Sequence, residues 1–170
     1  MRAGGAADSG SSGSGGDRTI QVVEFRLGSE HYAIDLFDVK EIVEYTTITK
    51  LPNTPPFVKG IIDLRGEVTT IVDLGERLNL PARAGTETET MRVIVLDEKK
   101  TSAKTGILVD DVLSVSRFER DQVDEVSIAD AAKGSAIRGI IKKKVQVRNR
   151  ETSDLVIWID ILPLIRDIGI

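Results

Sequence analysis

The chain has 170 residues, a net charge of −4, and 41% hydrophobic and 29% charged residues. This composition is typical of a folded globular protein, and the acidic balance argues against a nucleic-acid binder, which neutralises phosphates with Lys and Arg. The absence of cysteine excludes disulfides and thiolate metal ligands. No run reaches the roughly 18 apolar residues of a membrane span, so we expect a cytoplasmic protein.

Residues 1–18 are predicted to be a flexible leader, because ten of the first 17 are Gly or Ser and bury too little surface to offset their ordering entropy. Strand patterns begin at Thr19. Alternating apolar residues predict a strand over 20–28, and a Gly-Ser-Glu turn leads into "HYAIDL" (31–36). The segment 37–45 fits either a helical stripe or a bent strand, and the pattern leaves both open.

Three prolines in five residues make 50–58 a rigid connector rather than a helix or central strand. The next segment, "VKGIIDLRGEVTTIVDL" (58–74), predicts a hairpin of two apolar strands. Its turn contains Arg65 and Gly66, and glycine suits a turn position with positive φ. The turn therefore places an arginine where both flanking strands favour burial.

A short helix is predicted over 73–81, with Asp73 as its N-cap. A polar linker (82–90) follows, and strands are predicted over 91–97 and 104–118. The stretch 119–133 is polar and acidic without a clear period, which indicates a long loop.

The last predicted elements lie in 136–165. Two strands joined by a longer hairpin precede a short terminal helix. The same segment contains "KKKVQVRNR" (142–150), whose five positive charges raise the alternative of a nucleic-acid-binding barrel. No aromatic residue interleaves them for base stacking, and acidic residues follow directly, so a solvated hairpin with a charged edge is the favoured interpretation.

An internal repeat organises these elements. Residues 32–45 match 105–118 at an offset of 73, and later matches place Gly60 on Gly139 and Asp73 on Asp160. Each half has about five short strands, too few for an open sheet without exposed edges, so two small closed barrels are predicted. The turn with Arg65 is not repeated in this alignment, because its counterpart is "KKKV" (142–145). This asymmetry suggests that the first hairpin displays its arginine to a partner.

The repeated segments also resemble the CheW family of chemotaxis coupling proteins. "FVKGIIDLRGEVTTIVDLGERLNL" is similar to the family's hallmark segment, Gly-(hydrophobic)2-Asn/Asp-Leu-Arg-Gly followed by a strand ending in Asp-Leu. "YAIDLFDVKEIVEY" resembles its Val-x-Glu-Ile element, and the likeness extends over about residues 19–170. One departure is Asp63, where many members have Asn, which adds a negative charge near Arg65.

The resemblance implies a mainly β fold of two intertwined five-stranded SH3-like barrels with short helices. The halves would span about 19–85 and 91–170 and exchange strands. It also implies a non-enzymatic adaptor that couples transmembrane chemoreceptors to the histidine kinase CheA, monomeric alone and recruited to membrane receptor arrays. The resemblance implies that Arg65 and Glu41 lie close together and bind receptors.

Further receptor contacts are expected from neighbouring residues, and the full predicted set is Val39, Glu41, Ile42, Arg65, Gly66 and Val68. The kinase interface is expected at an exposed barrel end, without assigned residues. No catalytic residue, cofactor or metal site is predicted, because the only histidine, His31, lies in a predicted turn. The alternative is a CheW-like regulatory domain of a CheA kinase, or a related chemosensory adaptor.

Overall fold

The structure is a computed structural model that describes residues 18–82, 88–125 and 136–166. The predicted leader therefore lies outside the described residues apart from Arg18, as do 83–87 of the linker. The strands of the described part are β1 (Thr19–Leu27), β2 (Glu30–Asp35), β3 (Val39–Glu44), β4 (Val58–Leu64), β5 (Glu67–Asp73), β6 (Arg92–Leu96), β7 (Thr105–Val109), β8 (Asp111–Glu119), β9 (Val123–Glu125), β10 (Ile137–Val147) and β11 (Arg150–Ile159). Its α-helices are α1 (Leu74–Arg77) and α2 (Ile161–Arg166).

Two sheets form the described part of the molecule. One has the strand order β3-β6-β7-β5-β4, and the other has the order β8-β1-β2-β11-β10-β9. In each sheet, side chains from nearly every strand meet in one apolar interior, so each sheet curls into a small barrel. We call the five-stranded one barrel I and the six-stranded one barrel II. The predicted fold class of two SH3-like barrels with short helices is confirmed, but barrel II has six strands rather than the predicted five.

Three apolar clusters stabilise this arrangement. The interior of barrel I includes Ile62, Ile71 and Val93, and the interior of barrel II includes Phe118 and Trp158. The third and largest cluster, the central core, lies between the barrels and joins residues of β1, β2, β5, β6, β7 and β11 to both helices. The helices therefore seal the junction rather than either barrel alone.

Each barrel borrows strands from the other part of the sequence. Barrel II takes β1 and β2 from the beginning of the chain, and barrel I takes β6 and β7 from its middle. The borrowed strands enter through parallel pairs, β2 with β11 and β5 with β7. Since parallel strands require a crossover connection, the chain must pass between the barrels to complete either of them.

The predicted repeat glycines occupy matching places in the two barrels. The register of β4 shifts between Val58 and Gly60, and that of β10 shifts between Ile137 and Gly139. A Cβ on Gly60 would lie 2.0 Å from the carbonyl oxygen of Thr49, and one on Gly139 would lie 2.8 Å from that of Asp124. Both glycines therefore admit a neighbouring backbone at a bulge, which is a physical reason for their recurrence.

The structure resolves the ambiguity of 37–45. Residues Leu36–Asp38 form a single 3-10 turn, and β3 follows with a bulge between Val39 and Glu41. The bent-strand alternative is therefore correct. The predicted cap of the next helix is also confirmed, because the side chain of Asp73 accepts a hydrogen bond from the backbone N–H of Glu76 at 3.2 Å.

The prediction of one strand over 104–118 is wrong. The chain leaves barrel I at Asp110 and enters barrel II, so β7 and β8 lie in different sheets. Asp110 is held there by distant groups: its backbone N–H donates to the carbonyl of Arg26, and its carboxylate accepts from the N–H of Gly28 at 2.6 Å. The continuous apolar pattern on both sides of Asp110 conceals this crossing.

Two predictions for the second half also need correction. The expected loop over 119–133 contains a 3-10 turn at Arg120–Gln122 and strand β9, while 126–133 lie outside the described residues. The hairpin of β10 and β11 is longer than the hairpin of β4 and β5 because its strands are longer, whereas its turn is not. Residues 142–145, the predicted counterpart of the Arg65 turn, continue β10, and the two-residue turn is Arg148–Asn149. An arginine does recur at the turn.

The bulge at Gly60 makes a direct prediction about stability. We expect Gly60→Ala to lower the free energy of unfolding by about 2–4 kcal/mol, because the new Cβ would clash with backbone at a φ of 142°. Gly28→Ala is the matched control, since its φ is 62° but no atom lies within 4 Å of the added Cβ. It should cost about 1 kcal/mol. Urea denaturation measures both, and equal losses would show that close approach is not what requires Gly60.

Candidate partner-binding site

The turn between β4 and β5 fixes the position of Arg65. Arg65 and Gly66 have φ of 54° and 84°, which is the type I′ geometry that matches the twist of a hairpin. The backbone N–H of Gly66 donates to the carboxylate of Asp63 at 2.7 Å. Asp63, the departure from the family pattern, thus stabilises the turn itself. A non-glycine residue in the left-handed region costs about 1–2 kcal/mol, so the turn holds Arg65 against a local preference.

Arg65 forms a two-point ion pair with Glu41. Its Nη2 lies 2.9 Å from one carboxylate oxygen, and its Nη1 donates to the other at 3.1 Å. The pair joins the two edges of barrel I, because Glu41 lies on β3 and Arg65 follows β4 at the opposite edge of the sheet. The arginine side chain is 73% exposed and the glutamate 21%. The guanidinium is therefore both oriented and accessible.

The bulge in β3 turns Glu41 toward Arg65. Val39 pairs with Leu96 and Glu41 with Val95, and one residue between them is left out of register. Glu41 consequently shares a sheet face with Val43, which packs on the interior of barrel I. A carboxylate on this face at the barrel mouth needs a partner, and Arg65 supplies it.

A second group of charges surrounds this mouth. Lys104 is paired with Glu67 of the hairpin and lies 3.6 Å from Glu98, which in turn lies 3.5 Å from Lys40. The hydrogen bond from Lys104, with its positive charge, lowers the pKa of Glu67. The hydrogen bond to Glu67 correspondingly raises the pKa of Lys104. Both groups stay charged at neutral pH, and the rim of the mouth carries alternating charges.

The remaining predicted site residues differ in exposure. Val68 is 64% exposed and pairs across the hairpin with Asp63, and Ile42 is 37% exposed and pairs with Ile94 of β6. Val39 is partly buried against the central core. The structure thus brings Arg65 and Glu41 together, and it exposes Ile42 and Val68 on strands of the same barrel.

Comparison with known proteins places this chain in a family. A family model described as the CheW-like domain matches residues 21–169. The chain belongs to the CheW family. It is 33% identical over 124 residues to the chemotaxis protein CheW of Rhizobium meliloti, covering 71% of this chain and 76% of that one. It is 27% identical over 153 residues to the CheW of Thermotoga maritima, covering 90% and 92%.

A solved structure agrees with the fold of this CheW-like chain. The crystal structure of the scaffolding protein TtCheW from Thermoanaerobacter tengcongensis is similar with a TM-score of 0.63 and 29% identity, over 84% of this chain and 91% of that one. The chain is thus a chemotaxis adaptor of the CheW family. In its described part, no helix is long and apolar enough to cross a membrane.

His31 lies within β2 rather than in the turn before it.

Barrel II contains a buried carboxylate that the sequence pattern does not predict as a functional group. Glu24 of β1 is 1% exposed, and its carboxylate accepts hydrogen bonds from the hydroxyls of Ser114 and Ser116 and from the ammonium of Lys143 at 3.3 Å. Ser114 matches Glu41 at the repeat offset of 73, so both barrels place a charged network near the corresponding edge strand. The available signal was a glutamate between the apolar residues Val23 and Phe25.

The pKa of Glu24 responds to opposing effects. Burial raises it, but hydrogen bonds from Ser116, Ser114 and the charged Lys143 outweigh burial, so the net pKa is below the ordinary value of 4.5. A carboxylate with a lowered pKa contributes stability that is present above its unfolded-state pKa and lost as the pH falls through its folded-state pKa. Glu24 therefore stabilises barrel II at neutral pH.

Replacing Glu24 tests this network. We expect Glu24→Gln to reduce the free energy of unfolding at pH 7 by about 1–3 kcal/mol, because Lys143 loses its charged acceptor. The difference from the wild type should shrink as the pH falls below 4.5. Glu30→Gln, an exposed change on β2, is the control. Denaturant titrations at several pH values measure the effect, and a difference that is the same at pH 7 and pH 3 would contradict it.

Proposed function

We propose that this chain couples transmembrane chemoreceptors to the histidine kinase CheA in the cytoplasm, without catalysing a reaction itself. The observation that carries the proposal is the Arg65–Glu41 pair. Glu41 accepts from two of the guanidinium's five N–H groups, which leaves donors for a partner in the described structure. An arginine that is already oriented loses little side-chain freedom when a partner docks.

The proposed receptor surface also includes apolar residues of strands β3 and β5. Ile42 and Val68 offer exposed apolar side chains, while Gly66 allows the turn that presents Arg65. Val39 supports the strand from the core side. A helical receptor segment that lays apolar residues on such a surface, with a carboxylate or a backbone carbonyl at Arg65, fits the chemistry of this surface.

A related sensory adaptor is the second candidate function. The chain is 28% identical over 127 residues to protein PilI of Pseudomonas aeruginosa, covering 72% of this chain and 67% of that one. Under this alternative, the same arginine would meet a different receptor. Binding assays with separate receptor and kinase fragments distinguish these possibilities.

Substitution of Arg65 tests the receptor site. We expect Arg65→Ala to weaken binding to receptor signalling tips by about 10- to 100-fold, the effect of losing a charged hydrogen-bonding group at an interface. Arg65→Lys should recover only part of the affinity, because an ammonium lacks the planar fork. Thermal unfolding should change little, since an exposed ion pair contributes about 0–1 kcal/mol. Co-sedimentation and a thermal melt provide the two measurements.

The control for this experiment is Arg117→Ala, an exposed arginine on β8 of barrel II. It should bind receptor tips as the wild type does. Equal affinity of the wild type and Arg65→Ala would refute the proposed receptor site. Binding of the wild type to CheA but not to any receptor tip would instead refute the coupling function.

A further inference from the structure

The hairpin of β10 and β11 extends beyond barrel II. Strand β9 pairs with β10 only over Gly139–Ile141, and β2 pairs with β11 only over Val156–Trp158. Residues 142–155 therefore form a two-stranded ribbon, which we call the basic ribbon. Its strands have 11 and 10 residues, whereas β4 and β5 of the matching hairpin have seven each. Barrel I closes without such an extension, so the fold does not require it.

The tip of the basic ribbon repeats the geometry of the Arg65 turn. Arg148 and Asn149 have φ of 50° and 62°, so Arg148 occupies the turn position of Arg65. Arg65 is paired with Glu41. Among the described residues, by contrast, the side chains of Arg148 and Arg150 have no hydrogen bond or ion pair. An arginine at the same turn position is thus presented at the end of a longer hairpin, without a carboxylate partner among the described residues.

The charge of the ribbon differs between its two strands. Beyond Ile141, β10 carries three consecutive lysines and no acidic residue, whereas β11 carries Glu151 and Asp154. Two of the lysines are engaged inside the chain, Lys142 with Asp124 and Lys143 with Glu24. The side chain of Lys144 is 74% exposed, with Glu151 at 3.6 Å. From Lys144 to Arg148 the chain therefore has a cation at each end and no acidic residue between them.

The outer edge of β10 also offers unpaired backbone groups. In the described structure, β10 has β11 as its one strand neighbour over Lys144–Val147. An edge strand with free N–H and C=O groups is a template for a further strand. Val147 is 52% exposed beside the tip, which provides an apolar contact between the charged ends.

We propose that the basic ribbon is a docking edge for an acidic, extended segment of another protein. The segment adds as a strand along β10, and its carboxylates face Lys144 and Arg148. Charge complementarity selects this occupant. Two copies of β10 paired edge to edge would place lysines near lysines, which disfavours self-association. A nucleic acid is disfavoured because the ribbon lacks aromatic residues for stacking and the chain is acidic overall.

The test uses the full chain and a fluorescently labelled nine-residue peptide of alternating Glu and Val. We expect salt-dependent binding, measured by fluorescence anisotropy at low ionic strength. The charge-reversed variant Lys144→Glu/Arg148→Glu should bind at least tenfold more weakly, and Lys144→Gln/Arg148→Gln should lie between it and the wild type. The control Arg117→Glu, in barrel II but outside the ribbon, should stay within twofold of the wild type.

Two further probes separate strand addition from other modes of binding. A peptide with proline in place of one of the two valines next to its centre keeps its carboxylates but loses a backbone donor, and it should bind at least fivefold more weakly. An oligonucleotide of equal charge should bind more weakly than the Glu-Val peptide. The proposal is overturned if Lys144→Glu/Arg148→Glu binds the peptide as the wild type does, if the proline peptide binds equally well, or if the oligonucleotide binds more tightly. Self-association in sedimentation velocity that is lost in the same variant would also overturn it.

Discussion

Two parallel strand pairs hold this molecule together. β5 pairs with β7 in barrel I, and β2 pairs with β11 in barrel II. Each pair joins a strand from one part of the sequence to a strand from another part, so neither barrel is complete without a segment that belongs, by chain order, with the other. The central core then covers both junctions. Since loop-closure entropy must be overcome before such distant pairs form, we expect the two barrels to fold together.

Closure of the barrels places charge at defined positions. A curled sheet leaves two edge strands that do not hydrogen-bond to each other, and in barrel I the Arg65–Glu41 pair spans that gap. In barrel II the buried Glu24 connects β8 to β10 through Ser114 and Lys143. The charged groups of the two barrels differ in their exposure to solvent. Barrel II buries its carboxylate, whereas barrel I exposes its arginine.

The sequence predicts local features of this fold well and long-range ones poorly. The hairpin over 58–74 and the Asp73 cap follow from turn chemistry and from spacing within a few residues. The break at Asp110 depends on hydrogen bonds with Arg26 and Gly28, which are distant in sequence. Strand β9 exists because Gly139 lets its backbone approach β10. The sequence alignment of the two halves does not reveal that an arginine, Arg148, recurs at the turn. The alignment has no gaps, so it reaches the end of the first hairpin's strand while the longer strand β10 still continues.

The central claim is that Arg65 acts on a partner and does more than close barrel I. The charge-swapped variant Arg65→Glu/Glu41→Arg tests this most directly, because it retains an ion pair between the two edges but presents opposite charges to the partner. We predict that its free energy of unfolding stays within about 1 kcal/mol of the wild type, while co-sedimentation with receptor signalling tips is lost. Restored receptor binding in the swapped variant would show that the pair serves barrel closure alone and would contradict the account.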